Sequence, residues 1–219
     1  MSRTSCWNCQ TPLDPSPLCS ACGKVQPLQP GTTHFEALGV ARRVQLAASE
    51  LEKAYRERSL KVHPDRFAQA DARERRFSVE QTTALTMAYQ TLKDDARRAM
   101  YLLSLNGVDL MREDAGTQKD LPLSFLEEVL EQREALAQAR EVRDLPRVQQ
   151  MGMGMRNARA TALDEAKHAL EVLEARPRDT QALQKATLAL SQVRYFDRFL
   201  EEVDAIVDAA DDTIDEAHL

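Results

Sequence analysis

From residue 34 onward, apolar side chains recur at helical spacing, and no stretch alternates apolar and polar positions for long enough to make a strand. His34-Phe35-Glu36-Ala37-Leu38-Gly39 predicts a short helix, stopped by glycine just past its end. A longer helix is expected over Ala47–Val62, with Leu51, Ala54, Tyr55 and Val62 on one face. Pro64 pushes the residue before it out of the helical region, so that helix should stop near Val62. Ala70–Leu92 predicts a third helix, in which Leu85, Ala88, Tyr89 and Leu92 share a face. A fourth runs over Asp95–Leu105 and stops at Asn106-Gly107. After a polar stretch at Arg112–Asp120, the pattern predicts three more helices, about Pro122–Val142, Pro146–Arg176 and Thr180–Ala210. Breaks at Asp144-Leu145-Pro146 and Arg176-Pro177-Arg178-Asp179 separate them. Helices joined by such short connections pack antiparallel, so a three-helix bundle is expected. Its second helix is the weakest expectation, because Gly152 and Gly154 each cost ~1 kcal/mol in a helix interior. The fold class is all-α.

The first 31 residues break this pattern. They are Pro-rich, polar and without periodic apolar positions, and below ~40 residues a chain usually needs a metal or disulfides to fold. All 4 cysteines lie here, as Cys6-Trp7-Asn8-Cys9 and Cys19-Ser20-Ala21-Cys22. A disulfide scaffold would spread its cysteines through the domain it staples, so the clustering points to metal in a reducing compartment. Two C-x-x-C knuckles can converge their thiolates into one tetrahedral site, and structural zinc held by Cys6, Cys9, Cys19 and Cys22 is expected. Gly23 suits the turn that aims backbone amides at sulfur. A redox dithiol and an iron or iron–sulfur site use the same motif and are the rival readings. A closed tetrathiolate leaves no open position for a reacting water. Pro27, Pro30 and Gly31 then read as a linker, which gives three expected segments: residues 1–31, 32–110 and 111–219.

Charge narrows the partners. With 35 carboxylates against 29 Lys and Arg, the formal net charge is −6, which argues against a general nucleic-acid binder. No apolar run approaches the ~20 residues of a membrane span, and the first residues lack an apolar signal core, so a cytoplasmic protein is expected. There is no Gly-rich phosphate loop, nucleophile elbow or histidine-rich cluster. His34, His168 and His218 stand isolated, and the expectation is a protein that is not itself an enzyme.

His63-Pro64-Asp65 sits between two amphipathic helices, preceded by Ala54-Tyr55-Arg56 and followed by Arg66-Phe67, with Phe35-x-x-Leu38-Gly39 upstream. The arrangement resembles a J-domain. That resemblance implies binding to an HscA/DnaK-type chaperone and stimulation of its ATPase, with Asp65 presented to a basic group and His63 and Pro64 fixing its position. Lys53, Arg56 and Lys61 on the second helix, with Arg66 in the loop, would meet an acidic surface of the chaperone. Their bland alternative is a solvated helix face, since Glu50, Glu52 and Glu57 interleave with them.

Arg98-Ala99-Met100-Tyr101-Leu102-Leu103-Ser104-Leu105-Asn106-Gly107 narrows the resemblance to the HscB family. Phe125-Leu126-Glu127-Glu128-Val129-Leu130 and Val193-Arg194-Tyr195-Phe196-Asp197 are similar to that family's first and last C-terminal helices. The paired cysteines resemble its zinc-carrying form. The family resemblance implies that the C-terminal bundle holds an IscU-type iron–sulfur scaffold through Leu126, Leu130, Glu131, Glu134 and Tyr195. Leu126 and Leu130 have heptad-like spacing, so bundle core is the alternative for both. Two positions depart from the family. Glu127 replaces an apolar residue, and Arg58 stands where relatives carry leucine, with Leu60 expected to take over some of the packing. A J-protein for other clients and a zinc-ribbon redox or metal sensor remain the alternative functions. Nothing in the sequence demands more than a monomer.

Overall fold

The computed structural model describes residues 5–14, 16–110 and 121–216, with side chains to residue 210. The polar stretch expected over residues 112–120, and His218, lie outside the described residues. Among these residues the chain forms seven α-helices and one 3-10 turn, with only two isolated β-bridges. It divides into two compact units, Met1–Arg98 and Ala99–Leu219.

In the first unit, α1 (His34–Leu38) opens on a capping box. Thr33 Oγ1 accepts from the Glu36 amide, and the Glu36 carboxylate accepts from the Thr33 amide. Gly39 ends it with φ +66°, a left-handed conformation that a side chain would strain. The hairpin follows as α2 (Ala48–Val62), a 3-10 turn (Pro64–Phe67) and α3 (Ala72–Lys93). Its register is antiparallel: Tyr55 stacks on Tyr89 at 4.6 Å, and the Ser78 hydroxyl bonds the Val62 carbonyl. Phe35, Leu38, Val44, Leu51, Val62, Leu85, Ala88 and Leu92 fill the core. Arg98, in α4 (Asp95–Leu105), is 2% exposed yet fully used: it donates to the Val44 carbonyl (2.7 Å), the Leu92 carbonyl (2.5 Å) and Asp95 (2.5 Å).

Arg58 departs from expectation. Leu60 does not replace the missing leucine, since it is 63% exposed. The Arg58 side chain itself lies against α1, where its guanidinium donates to the Ala37 (2.7 Å) and Glu36 (3.2 Å) carbonyls. A cation at the carbonyl end of a helix satisfies otherwise unpaired acceptors and the helix dipole, so a polar residue does an apolar residue's job. The contact is close enough that a Cβ on residue 39 would fall 2.0 Å from Arg58 Nη2.

The second unit contains α5 (Leu123–Glu141), α6 (Leu145–Ala175) and α7 (Thr180–Glu216). Pairs Arg159–Asp197 and Arg156–Asp204 set α6 and α7 antiparallel, and Leu136, Ala139, Val148, Phe199 and Val203 form a shared core. The expected weakness at Gly152 is not there: α6 runs through it. Gly152 is buried, and a Cβ there would sit 2.9 Å from Val203 Cγ1, so the glycine lets α7 approach closely. No described helix is long and apolar enough to cross a membrane.

Candidate functional site

The four cysteines converge. All their Sγ atoms lie within 4.8 Å of one another, with Cys6–Cys22 at 3.6 Å and Cys9–Cys19 at 3.7 Å. Four thiolates at Zn–S distances of about 2.3 Å would define a tetrahedron with edges of about 3.8 Å, so the sulfurs fit a single ion. Both knuckles are the same turn. The Cys6 amide donates to the Thr11 carbonyl and Gln10 back to Cys6; Cys19 donates to Lys24 and Gly23 back to Cys19. Gly23 has φ +72°, and Gln10, its counterpart in the first knuckle, has φ +63° without being glycine. Burial opposes ionisation of Cys6, but hydrogen bonds from the Cys9 and Asn8 amides bring its pKa down to about 6. The Lys24 amide favours the Cys22 thiolate, yet burial and the neighbouring sulfurs push this thiol up to about 11. Sulfurs this close resist ionising together without a cation among them, and a divalent ion would remove that conflict.

The cluster is seated on α3. Trp7 packs edge-on against Phe77 at 6.1 Å, with the Arg73 guanidinium 5.1 Å from its ring. Lys24 Nζ meets the buried Glu74 carboxylate at 2.5 Å, and the Gln81 side chain donates to the Gln26 carbonyl at 3.0 Å. These long-range pairs were not legible in the sequence.

The second candidate is the loop after α2. Pro64 starts the 3-10 turn, and the side chain of His63 caps it: Nδ1 accepts from the Asp65 amide at 3.3 Å. Buried Phe67 anchors the far end, while the side chains of His63 and Asp65 are 51% and 89% exposed. Arg66 is engaged locally, donating to the Leu60 carbonyl at 2.9 Å. Lys53, Arg56 and Lys61 stand exposed along one side of α2.

The third is a face of α5. Leu130 is 60% exposed, Leu126 is half-buried, and Glu127, Glu131 and Glu134 are exposed. Leu126, Leu130 and Glu134 form one stripe at i, i+4, i+8 spacing. Tyr195 belongs to the adjoining stripe: its ring meets Phe125 edge-on at 5.7 Å, its hydroxyl donates to the Val129 carbonyl at 3.2 Å, and Arg133 lies 5.7 Å from its face. Burial pushes the Tyr195 phenol above its usual range. Phe125 and Arg133 therefore join the face, as an aromatic at one flank of the heptad and the cation four residues beyond Val129.

Comparison with known proteins agrees with this layout. Residues 33–101 match the DnaJ domain, and residues 121–204 match the HSCB C-terminal oligomerisation domain. An iron–sulfur cluster co-chaperone HscB homolog from Arabidopsis thaliana is 26% identical over 202 residues, covering 92% of this chain and 74% of that protein. A co-chaperone HscB homolog from Burkholderia multivorans is 30% identical over 176 residues, 80% of this chain and 94% of its own. The crystal structure of human HscB superposes with a TM-score of 0.76 at 25% identity, covering 92% of this chain and 98% of that one. With a J-domain, the C-terminal domain and near full-length relatives all matched, the chain belongs to the HscB family of iron–sulfur cluster co-chaperones.

Proposed function

We propose that this protein brings an IscU-type scaffold to an HscA/DnaK-type chaperone and triggers that chaperone's ATPase, promoting transfer of a nascent iron–sulfur cluster and its maturation. The J-domain, residues 32–110, acts through the exposed loop of His63, Pro64 and Asp65, with Lys53, Arg56, Lys61 and Arg66 guiding encounter with an acidic surface. Exposed cations of this kind mainly raise association rates and lose effect with salt. The bundle, residues 111–219, holds the scaffold through Leu126, Leu130, Glu131, Glu134 and Tyr195. Cys6, Cys9, Cys19 and Cys22 hold structural zinc, and the protein works as a cytoplasmic monomer.

The observation that carries this reading is the pairing of an exposed, capped loop in one unit with an exposed leucine among carboxylates in the other. Leu130, 60% exposed beside the half-buried Leu126 and the carboxylates of Glu131 and Glu134, supplies the apolar centre of that face. Single-turnover ATP hydrolysis by the chaperone tests it, with this protein and the scaffold added singly and together. Synergy is expected, and His63→Gln should abolish it while scaffold binding persists. Stimulation indifferent to the scaffold would make the protein a J-domain partner of other clients.

A further inference from the structure

One stripe of α3 makes two separate sets of contacts. Residues 74, 77, 78, 81 and 82 follow the i, i+3, i+4, i+7, i+8 spacing of a single helix face. Glu74, Phe77 and Gln81 receive the cysteine module through Lys24, Trp7 and Gln26. Ser78 and Thr82 reach the end of α2 instead, where their hydroxyls donate to the Val62 carbonyl at 2.7 and 3.4 Å. Val62 is the last residue of α2, and His63 follows it. Ser78 is 0% exposed, so no water can stand in for its bond, which fixes the peptide on which the loop hangs.

Gln26 joins the module to this stripe. It is 2% exposed, and its side-chain amide donates to Cys6 Sγ (3.4 Å) and the Lys24 carbonyl (2.8 Å). Its own backbone carbonyl accepts from Gln81. A continuous set of contacts therefore runs from a ligand sulfur through Gln26 and Gln81 to the turn of α3 that grips Val62.

A segment of this size has little apolar surface of its own and would depend on a metal to hold its fold, so metal occupancy would bias the docked module against a released one. Release would leave the Glu74 carboxylate, on a residue 4% exposed in the docked state, without its cation. Gln81 would lose its acceptor and Phe77 its aromatic cover, all on the stripe that holds the loop.

We propose that the cysteine module is a positioning element for the His63-Pro64-Asp65 loop, with Gln26, Gln81 and Ser78 as positioning residues, so that metal occupancy sets how well the loop is held. The inference rests on the reading of this loop as the ATPase trigger. Its first test needs no partner: hydrogen–deuterium exchange on the full chain, loaded with zinc or stripped by chelation. Stripping is expected to speed exchange on the order of tenfold at residues 63–68 and 74–82, with α6 and α7 unchanged. Ser78→Ala touches neither ligand nor module; it should keep its zinc and its slow exchange at residues 5–32, yet speed the loop. Gln81→Ala, which removes the donor to the Gln26 carbonyl, should also keep its zinc and speed the loop, with faster exchange around Gln26 as well. In ATPase titrations, stripped protein and both variants should need several-fold more protein for half-maximal stimulation, because only the fraction with an ordered loop is competent.

Acceleration confined to residues 5–32 on stripping would overturn the proposal, as would Ser78→Ala with an unchanged loop. Failure of the loaded protein to stimulate any chaperone, with the exchange coupling intact, would instead strike the proposed function.

Discussion

Replacing Leu130 by alanine separates a docking contact from a core contact on the same helix. Leu130 is 60% exposed and Leu136, less than two turns on, is 3% exposed. Fully burying a leucine contributes about 1.5–3 kcal/mol, so the intramolecular share of Leu130 is at most about 1 kcal/mol. Alanine keeps the Cβ and is a slightly better helix former, which leaves a net loss of roughly 0.5 kcal/mol. The exposed share is what a scaffold would cover, about 1–2 kcal/mol, or roughly five- to thirtyfold in affinity. Leu136→Ala reverses the balance. It opens a cavity beside Ala139, Val148, Phe199 and Val203 and should cost about 2–5 kcal/mol of bundle stability. Urea unfolding followed by circular dichroism gives the first quantity, and calorimetric titration with an IscU-type scaffold gives the second. If Leu130→Ala destabilises the bundle as much as Leu136→Ala, or leaves scaffold affinity within about twofold, the exposed-contact argument is wrong.

Arg98→Ala should destabilise the first unit by about 2–5 kcal/mol in urea unfolding, because two carbonyls, of Val44 and Leu92, lose their donor. Arg98→Lys should recover only part of that, lacking the planar fork that reaches three acceptors. Gly152→Val should cost about 1–3 kcal/mol by forcing α7 away at Val203, measured as a drop in the bundle's thermal midpoint. Asp71 caps α3, and the Glu74 amide holds its carboxyl below the usual range. A depressed carboxyl contributes stability that is complete above its unfolded pKa of about 3.9 and lost as pH falls through the folded value. The stability gap between the protein and Asp71→Asn should therefore be constant above about pH 5 and change as pH drops through that window. A gap that does not depend on pH would remove Asp71 as a titrating cap.

Local rules made much of this molecule readable. Pro64 stops α2 at Val62, Gly39 ends α1, and Asp144 caps α6 through the Arg147 amide, so these ends fall within a residue or two of their sequence signals. The cysteine spacing likewise announces a four-sulfur cluster. The sequence misled wherever one residue's role depends on a distant neighbour. Gly152 reads as a helix weakness until Val203 is placed beside it. Arg58 reads as a hole in the core until the α1 carbonyls are seen to need a donor. Tyr195, grouped with the exposed face, turns out half-buried, with its hydroxyl committed to Val129. Docking of the cysteine module was illegible for the same reason: Lys24 and Glu74 are 50 residues apart, and neither carries a local mark of the other.

The two candidate interaction surfaces share a physical design. Each is presented by a segment whose own hold on the structure is limited and whose fixing comes from behind. The loop of His63, Pro64 and Asp65 buries only Phe67, and its register rests on the Val62 carbonyl held by α3. In α5 only Leu136 and Ala139 are fully buried, near its end, whereas α6 buries eight residues along its length. The first turns of α5 are held instead by Phe125 against Tyr195 and Phe196, an aromatic group that belongs largely to α7. A well-buried pair of helices behind a lightly anchored third leaves Leu130 free of core duty. That freedom is what allows it to stay exposed at modest cost to stability, and it makes α5 the part of the bundle to which a partner's buried surface would add most.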